Sequence, residues 1–181
     1  MQAYRQGNPE GFDMLLSRYQ KAIFAFIYRF TQNAAHSEEL LQEVFMKVIA
    51  AAPTYKAKAS FKTWLYTIAR RSCIDHARKA KHRRTQAFVE TVHEDPQASP
   101  DTGLRQKNLQ QGIADALAKL STEQREVFLL REYSGLSFKE IATTIGCSEG
   151  TVKSRMRYAL LSLRQSLLNF RQSSYPPKEL A

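Results

Sequence analysis

The chain has 181 residues, room for one large domain or two small ones. Its 27 Lys and Arg against 17 Asp and Glu give a formal net charge of +10, which favours a polyanionic partner, nucleic acid first and an anionic membrane surface second. A hydrophobic share of 43% is enough for real cores and excludes a wholly disordered chain, and two distant cysteines, Cys73 and Cys147, with no C-x-x-C pair, speak against a zinc site even with His76 near Cys73.

Residues 9–84 read as helices. Phe12, Leu15, Leu16 and Tyr19 mark a first apolar face, and Ile23, Phe24, Ile27 and Phe30 continue it. A helix from about Ser37 to Ala51 carries Leu40, Leu41, Val44, Phe45 and Val48, and Pro53 ends it. A further helix from about Ser60 to Lys79 carries Phe61, Trp64, Leu65, Ile68 and Ala69. Composition then shifts: residues 85–103 lose helical periodicity and gain Pro, Gly and the acids Glu90, Glu94, Asp95 and Asp101. Helical patterning returns with Leu109, Ile113, Ala116, Leu117 and Leu120. Ser121 and Gln124 cap the next helix, which carries Val127, Phe128 and Leu130. The tail 172–181 is expected to be disordered. The fold class is all-α: two small helical domains joined by a flexible linker.

Residues 134–163, S-G-L-S-F-K-E-I-A-T-T-I-G-C-S-E-G-T-V-K-S-R-M-R-Y-A-L-L-S-L, form a helix-turn-helix signature. Ser137 with Glu140 makes a capping box, and Ile141, Ala142 and Ile145 form one apolar face. Gly146 supplies the turn and Ser148 caps a second helix, on which Val152, Met156, Ala159, Leu160 and Leu163 recur at helical spacing. Lys153, Ser154, Arg155 and Arg157 project from its N-terminal half, where recognition helices meet a major groove. An ordinary helical hairpin with a solvated basic face is the plainer alternative, disfavoured by the paired caps and the tight turn.

Two surfaces of the N-terminal half carry chemistry. Glu39, Gln42, Glu43 and Met46 share one face of the 37–51 helix, which suits protein docking or a merely solvated surface. Lys62, Arg70, Arg71, Arg78, Lys79, Lys81, Arg83 and Arg84 interleave with Phe61, Trp64 and Tyr66. Cations neutralise phosphates and exposed rings stack on unpaired bases, so this stretch suits single-stranded or melting DNA. Trp64 sits on the core stripe, which leaves Tyr66 as the better candidate for a base. The acidic linker is either a solubility device or a segment that occupies a basic channel. No catalytic residue set, metal cluster or cofactor loop appears, so no enzyme activity, metal or cofactor is expected. No apolar run spans a bilayer and no signal-peptide core is seen, so a cytoplasmic location without membrane insertion is expected.

H-S-E-E-L-L-Q-E-V-F-M-K-V (36–48) followed by F-K-T-W-L-Y-T-I-A-R-R-S-C-I-D-H-A-R (61–78) resembles region 2 of an extracytoplasmic-function (ECF) sigma factor of bacterial RNA polymerase. A-L-A-K-L-S-T-E-Q-R-E-V-F-L-L-R-E-Y-S-G-L-S-F-K-E-I-A (116–142) with G-T-V-K-S-R (150–155) resembles region 4. The resemblance implies a region 2 domain over 1–84, an acidic linker over 85–107, a region 4 domain over 108–171 and a tail over 172–181. It implies that Glu39, Gln42, Glu43 and Phe45 dock on the β′ clamp helices of core polymerase, with the β flap as a further contact. Lys62, Tyr66, Arg70 and Arg71 then read the −10 strand, and Ser148, Thr151, Lys153, Ser154, Arg155 and Arg157 read the −35 duplex. Promoter DNA and a cognate anti-sigma factor are the other implied partners. Two positions depart from the family pattern. Arg71 stands where Asn is usual, offering only donors, and Tyr158-Ala159-Leu160 stands where a basic R-A-R is common. The rival readings are a dimeric helix-turn-helix activator and a basic protein bound to RNA or an anionic membrane.

Overall fold

The computed structural model describes residues 1–56, 59–86 and 102–174, the side chains over 81–107 and from 173 onward excepted. Its helices run in the order α1 (Gln2–Arg5), α2 (Glu10–Thr31), α3 (Ala34–Ala51), a 3₁₀ turn (Ala52–Thr54), α4 (Phe61–Gln86), α5 (Thr102–Ala118), α6 (Thr122–Ser134), α7 (Phe138–Ile145) and α8 (Glu149–Ser174). The architecture is all-α among the described residues. The acids Glu90, Glu94, Asp95 and Asp101 lie outside the described residues, as do the side chains of Lys81, Arg83 and Arg84 and the tail from 175. Helix α4 continues to Gln86, and α5 begins at Thr102, inside the stretch expected to be linker. Leu104, Arg105, Gln106 and Lys107 are all good helix formers, so local propensity carries α5 back through them.

Local chemistry sets the helix ends. The Asn33 side chain accepts from the His36 backbone N–H at 2.9 Å, so α3 starts three residues before Ser37. Both expected capping boxes are formed. Ser121 accepts from the Gln124 N–H and Gln124 from the Ser121 N–H; Ser137 and Glu140 do the same at α7. Gly135 and Gly146 close α6 and α7 with left-handed backbone, φ +61° and +81°.

Helices α2, α3 and α4 pack on one another, and α6, α7 and α8 form a second group with α5 laid on α8. In the first group Ile23, Phe26, Ile27, Val44, Val48, Leu65 and Ala69 are fully buried. Phe26 takes the place expected for Phe24, because the stripe on α2 follows 23, 26, 27 and 30. In the second group Leu117, Val127, Leu129, Leu130, Leu136, Ile141, Val152 and Ala159 are sealed from solvent. Gly112 lets α5 approach α8: a Cβ there would stand 2.8 Å from the Phe170 ring. The two groups do not stand apart. Helix α2 packs on α6, and α4 packs on both α6 and α7, so the two apolar cores merge into one.

Gly146→Ala is expected to destabilise the fold by about 1–2 kcal/mol through left-handed strain alone, because a Cβ there meets nothing within 4 Å. Denaturant titration checks this, and Gly146→Asn should restore much of the loss, since Asn tolerates that backbone conformation.

Candidate nucleic-acid interface

The helix-turn-helix is α7, the Gly146 turn and α8. The Thr151 backbone N–H donates to the Ser148 hydroxyl at 3.1 Å, and the two side-chain hydroxyls lie 2.8 Å apart. Ser148 therefore caps α8, and Thr151 is tied to that cap. Val152, Met156, Ala159 and Leu163 point into the core, which turns Lys153, Ser154 and Arg157 outward into solvent. Lys153 is paired with Glu149 one turn back at 2.8 Å. Tyr158 is 57% exposed on the same outward side. Arg155 is placed differently. It is half-buried and lines a cleft of about 330 Å³ together with Arg70, Glu123, Glu126 and Cys147.

Lys62, Tyr66 and Arg70 recur every four residues and so share one face of α4. That face is packed against α6 and α7. Tyr66 is 1% exposed, its ring edge-on to Phe26 at 5.3 Å and its hydroxyl donating to the Tyr133 carbonyl at 3.4 Å. Burial pushes its phenol up to about 12. The expectation that Tyr66 is the ring free for a base is corrected here: it fills the core, and Trp64, stacked among Tyr55 and Phe61, is the half-exposed one. The physical reason is position, since 66 shares with 62 and 70 the face of α4 that packs against the second helix group.

Arg70 Nε lies 2.7 Å from Glu126 Oε1, a charge contact whose N–H is not aligned as a hydrogen bond. Glu126 is 2% exposed; burial raises its carboxyl pKa, and the charges of Arg70 and Arg155 oppose that rise. At the other end of the face, Thr63 Oγ1 donates to Glu140 Oε1 at 3.1 Å. The Glu140 carboxyl is held below its usual range by the Ser137 backbone and hydroxyl, then by Thr63 and the Lys62 ammonium. Arg71 alone of the four candidate strand contacts is exposed. Glu126 escaped the sequence reading. Its signal was an acid sharing an apolar stripe with Leu129 and Leu130, which demands a buried partner.

Glu39, Gln42, Glu43 and Met46 form one exposed face of α3, as their spacing required. Glu43 is tied to Lys47, and both meet the Ser72 hydroxyl on α4, at 3.4 and 2.9 Å. Phe45 does not belong to this face. It is 6% exposed and sits edge-on to Phe12 at 6.2 Å, so its expected docking role is corrected to a core role. It follows Val44 around the helix toward α2.

A capped helix-turn-helix with an outward cationic face, joined to a helical bundle with a basic helix and an exposed acidic face, defines a helical transcription protein that binds DNA. Residues 15–83 match the sigma-70 region 2 family and residues 110–163 match sigma-70 region 4. The chain is 34% identical over 156 residues to the ECF RNA polymerase sigma factor SigL of Mycobacterium tuberculosis, covering 84% of this chain and 86% of that one. It is 31% identical over 167 residues to the RNA polymerase sigma factor CarQ of Myxococcus xanthus, covering 92% and 95%. Among solved structures, the sigma factor RpoE of Bartonella quintana, crystallised with the anti-sigma factor NepR, superposes with a TM-score of 0.72 at 29% identity, over 87% of this chain and 97% of that one. CnrH, solved with the cytosolic domain of CnrY, shares the fold at a TM-score of 0.70 and 24% identity. The chain belongs to the ECF sigma factors of bacterial RNA polymerase, which direct promoter-specific transcription initiation. Among the described residues no helix is long and apolar enough to cross a membrane.

The two α3 roles separate experimentally. Phe45→Ala is expected to cost about 3–5 kcal/mol of stability as a core truncation, whereas Gln42→Ala on the exposed face should stay within about 0.5 kcal/mol. Thermal unfolding of both variants checks this.

Proposed function

We infer that this chain is a dissociable specificity subunit that performs no covalent chemistry itself and acts in the cytoplasm with core polymerase. Residues 1–84 dock on the polymerase and read the −10 strand, 85–107 connect, and 108–171 read the −35 duplex. What supports this reading above all is one chain carrying a region 2 match and a region 4 match in that order, with charged faces of opposite sign on α3 and α8. Glu39, Gln42 and Glu43 hold the β′ clamp helices, and the β flap receives the region 4 side. Lys153, Ser154 and Arg157 enter the −35 major groove, Ser148 and Thr151 set the N-terminus of the reading helix, and Arg155 joins them once the cleft it lines is free. Lys62, Arg70 and Arg71 meet the −10 strand. An anti-sigma factor is the proposed protein antagonist, by analogy with the RpoE complex.

Run-off transcription with purified bacterial core polymerase on randomised promoters tests the whole reading. Discrete starts that need this chain, downstream of paired spaced motifs, are expected; sequence-independent DNA binding with no protein-dependent start refutes it. Glu39→Lys should abolish transcription through loss of core binding while duplex affinity stays unchanged, read by co-purification with core. Arg157→Ala should weaken duplex binding and lower the salt slope by about 1 if it holds a phosphate, or cost about 1–3 kcal/mol at one base pair if it reads an edge.

A further inference from the structure

We infer that His36 and His76 form a two-histidine site for a first-row divalent transition metal, a clip that ties the start of α3 to the C-terminal half of α4. The proposed promoter role uses neither side chain, and the inference stands without that role.

His36 lies in the first turn of α3, where the Asn33 cap fixes its backbone. His76 lies on α4. The two are far apart in sequence, and the packing of α3 on α4 brings their rings to 5.0 Å between centroids, tilted by 55°. The same seam sets Glu43 and Lys47 against Ser72, so α3 and α4 run in opposite directions along it.

That separation is what a shared metal requires. An imidazole nitrogen binds Zn²⁺ at about 2.0–2.1 Å and the ring centre lies about 1.1 Å beyond it, which puts metal and ring centre about 3.2 Å apart. Two such rings at a tetrahedral angle have centres about 5.2 Å apart, and at the right angle of a square-planar ion about 4.5 Å. The observed 5.0 Å falls between the two. Rings stacked face to face would hold their nitrogens side by side, whereas the tilt lets one nitrogen of each aim at a common point.

Access and charge fit the same class of ion. His36 is exposed and His76 is half-buried, so an ion reaches the pair from water. Glu39, one turn along α3 from His36, and Asp75, the neighbour of His76, supply exposed negative charge, which Arg78 and Lys79 on α4 offset. A hard ion held by carboxylates, such as Ca²⁺, is therefore not expected, while imidazole selects Zn²⁺, Ni²⁺ and Cu²⁺. Cys73, three positions before His76, is sealed in the core at 2% exposure and takes no part. Among the described residues no group of three or more metal-ligating side chains is assembled, so water completes the coordination and the ion is exchangeable. An unfolded chain does not hold the two rings together, so the bound ion stabilises the fold.

The full-length chain, stripped with chelator, is titrated with Cu²⁺, Ni²⁺ and Zn²⁺ by isothermal titration calorimetry, and its denaturant unfolding is followed with and without each ion. One ion per chain is expected, held most tightly for Cu²⁺. The unfolding constant should fall by about 100-fold at an ion concentration about 100 times Kd. His36→Phe, which keeps a ring without a nitrogen, and His76→Gln should each weaken binding at least about tenfold and cancel the effect on unfolding, with circular dichroism showing the helices retained. Cys147→Ser and the double variant His82→Gln/His93→Gln remove the other thiol outside the core and the other two histidines of the chain, and should bind as wild type. Electron paramagnetic resonance of the Cu²⁺ form should show two imidazole nitrogens, reduced to one in either site variant. No saturable binding below about 1 mM free ion, or unchanged affinity in His36→Phe or His76→Gln, overturns the site and leaves a ring contact only. Loss of binding in the control variants instead overturns it by placing the ion elsewhere.

Discussion

The structure depends on α4 being buried on two sides. Leu65 and Ala69 close the core of the first helix group, and Tyr66 and Cys73 lie on the side that meets α6. Burial pushes the Cys73 thiol up to about 12, so it behaves as a small apolar side chain rather than a reactive one. A helix used this way has little free surface left. Whatever chemistry it offers to DNA must share positions with packing, which is why its cations alternate with sealed residues and why carboxylates of a neighbouring helix meet them.

Charge is distributed to match. The chain carries a formal +10, yet its acids are not scattered evenly. Some lie on the α3 face, away from the proposed DNA contacts. Others, Glu123, Glu126 and Glu140, sit at the seam between the helix groups, opposite Arg70, Arg155 and Lys62. A basic protein with some of its cations set against internal carboxylates presents less charge to non-specific nucleic acid than its composition suggests. The outward face of α8, with Ser154 and Arg157, remains free of this arrangement.

Much of the fold was legible because its signals are local. A hydroxyl three residues before Gln124 or Glu140 satisfies end donors regardless of what packs nearby, and both capping boxes form as written. Glycine at 146 supplies a left-handed turn that other residues resist. The exposed acidic face of α3 followed from helical spacing alone. Tyr66 was misplaced because periodicity cannot say whether a second layer covers the margin of an apolar stripe, whereas Phe45 lies on the stripe its spacing gave it and only the resemblance lent it a docking role.

The sequence by itself determined the helices, their caps, the helix-turn-helix and the two-part resemblance, since these rest on contacts between residues a few positions apart. Only the tertiary structure decided that the two helix groups close on each other through α4, that Glu126 is the buried partner of Arg70, and that Tyr66 is inside. Those outcomes join residues more than fifty positions apart in the chain. No spacing rule encodes them, because they arise from which stripe of one packed group happens to complement another.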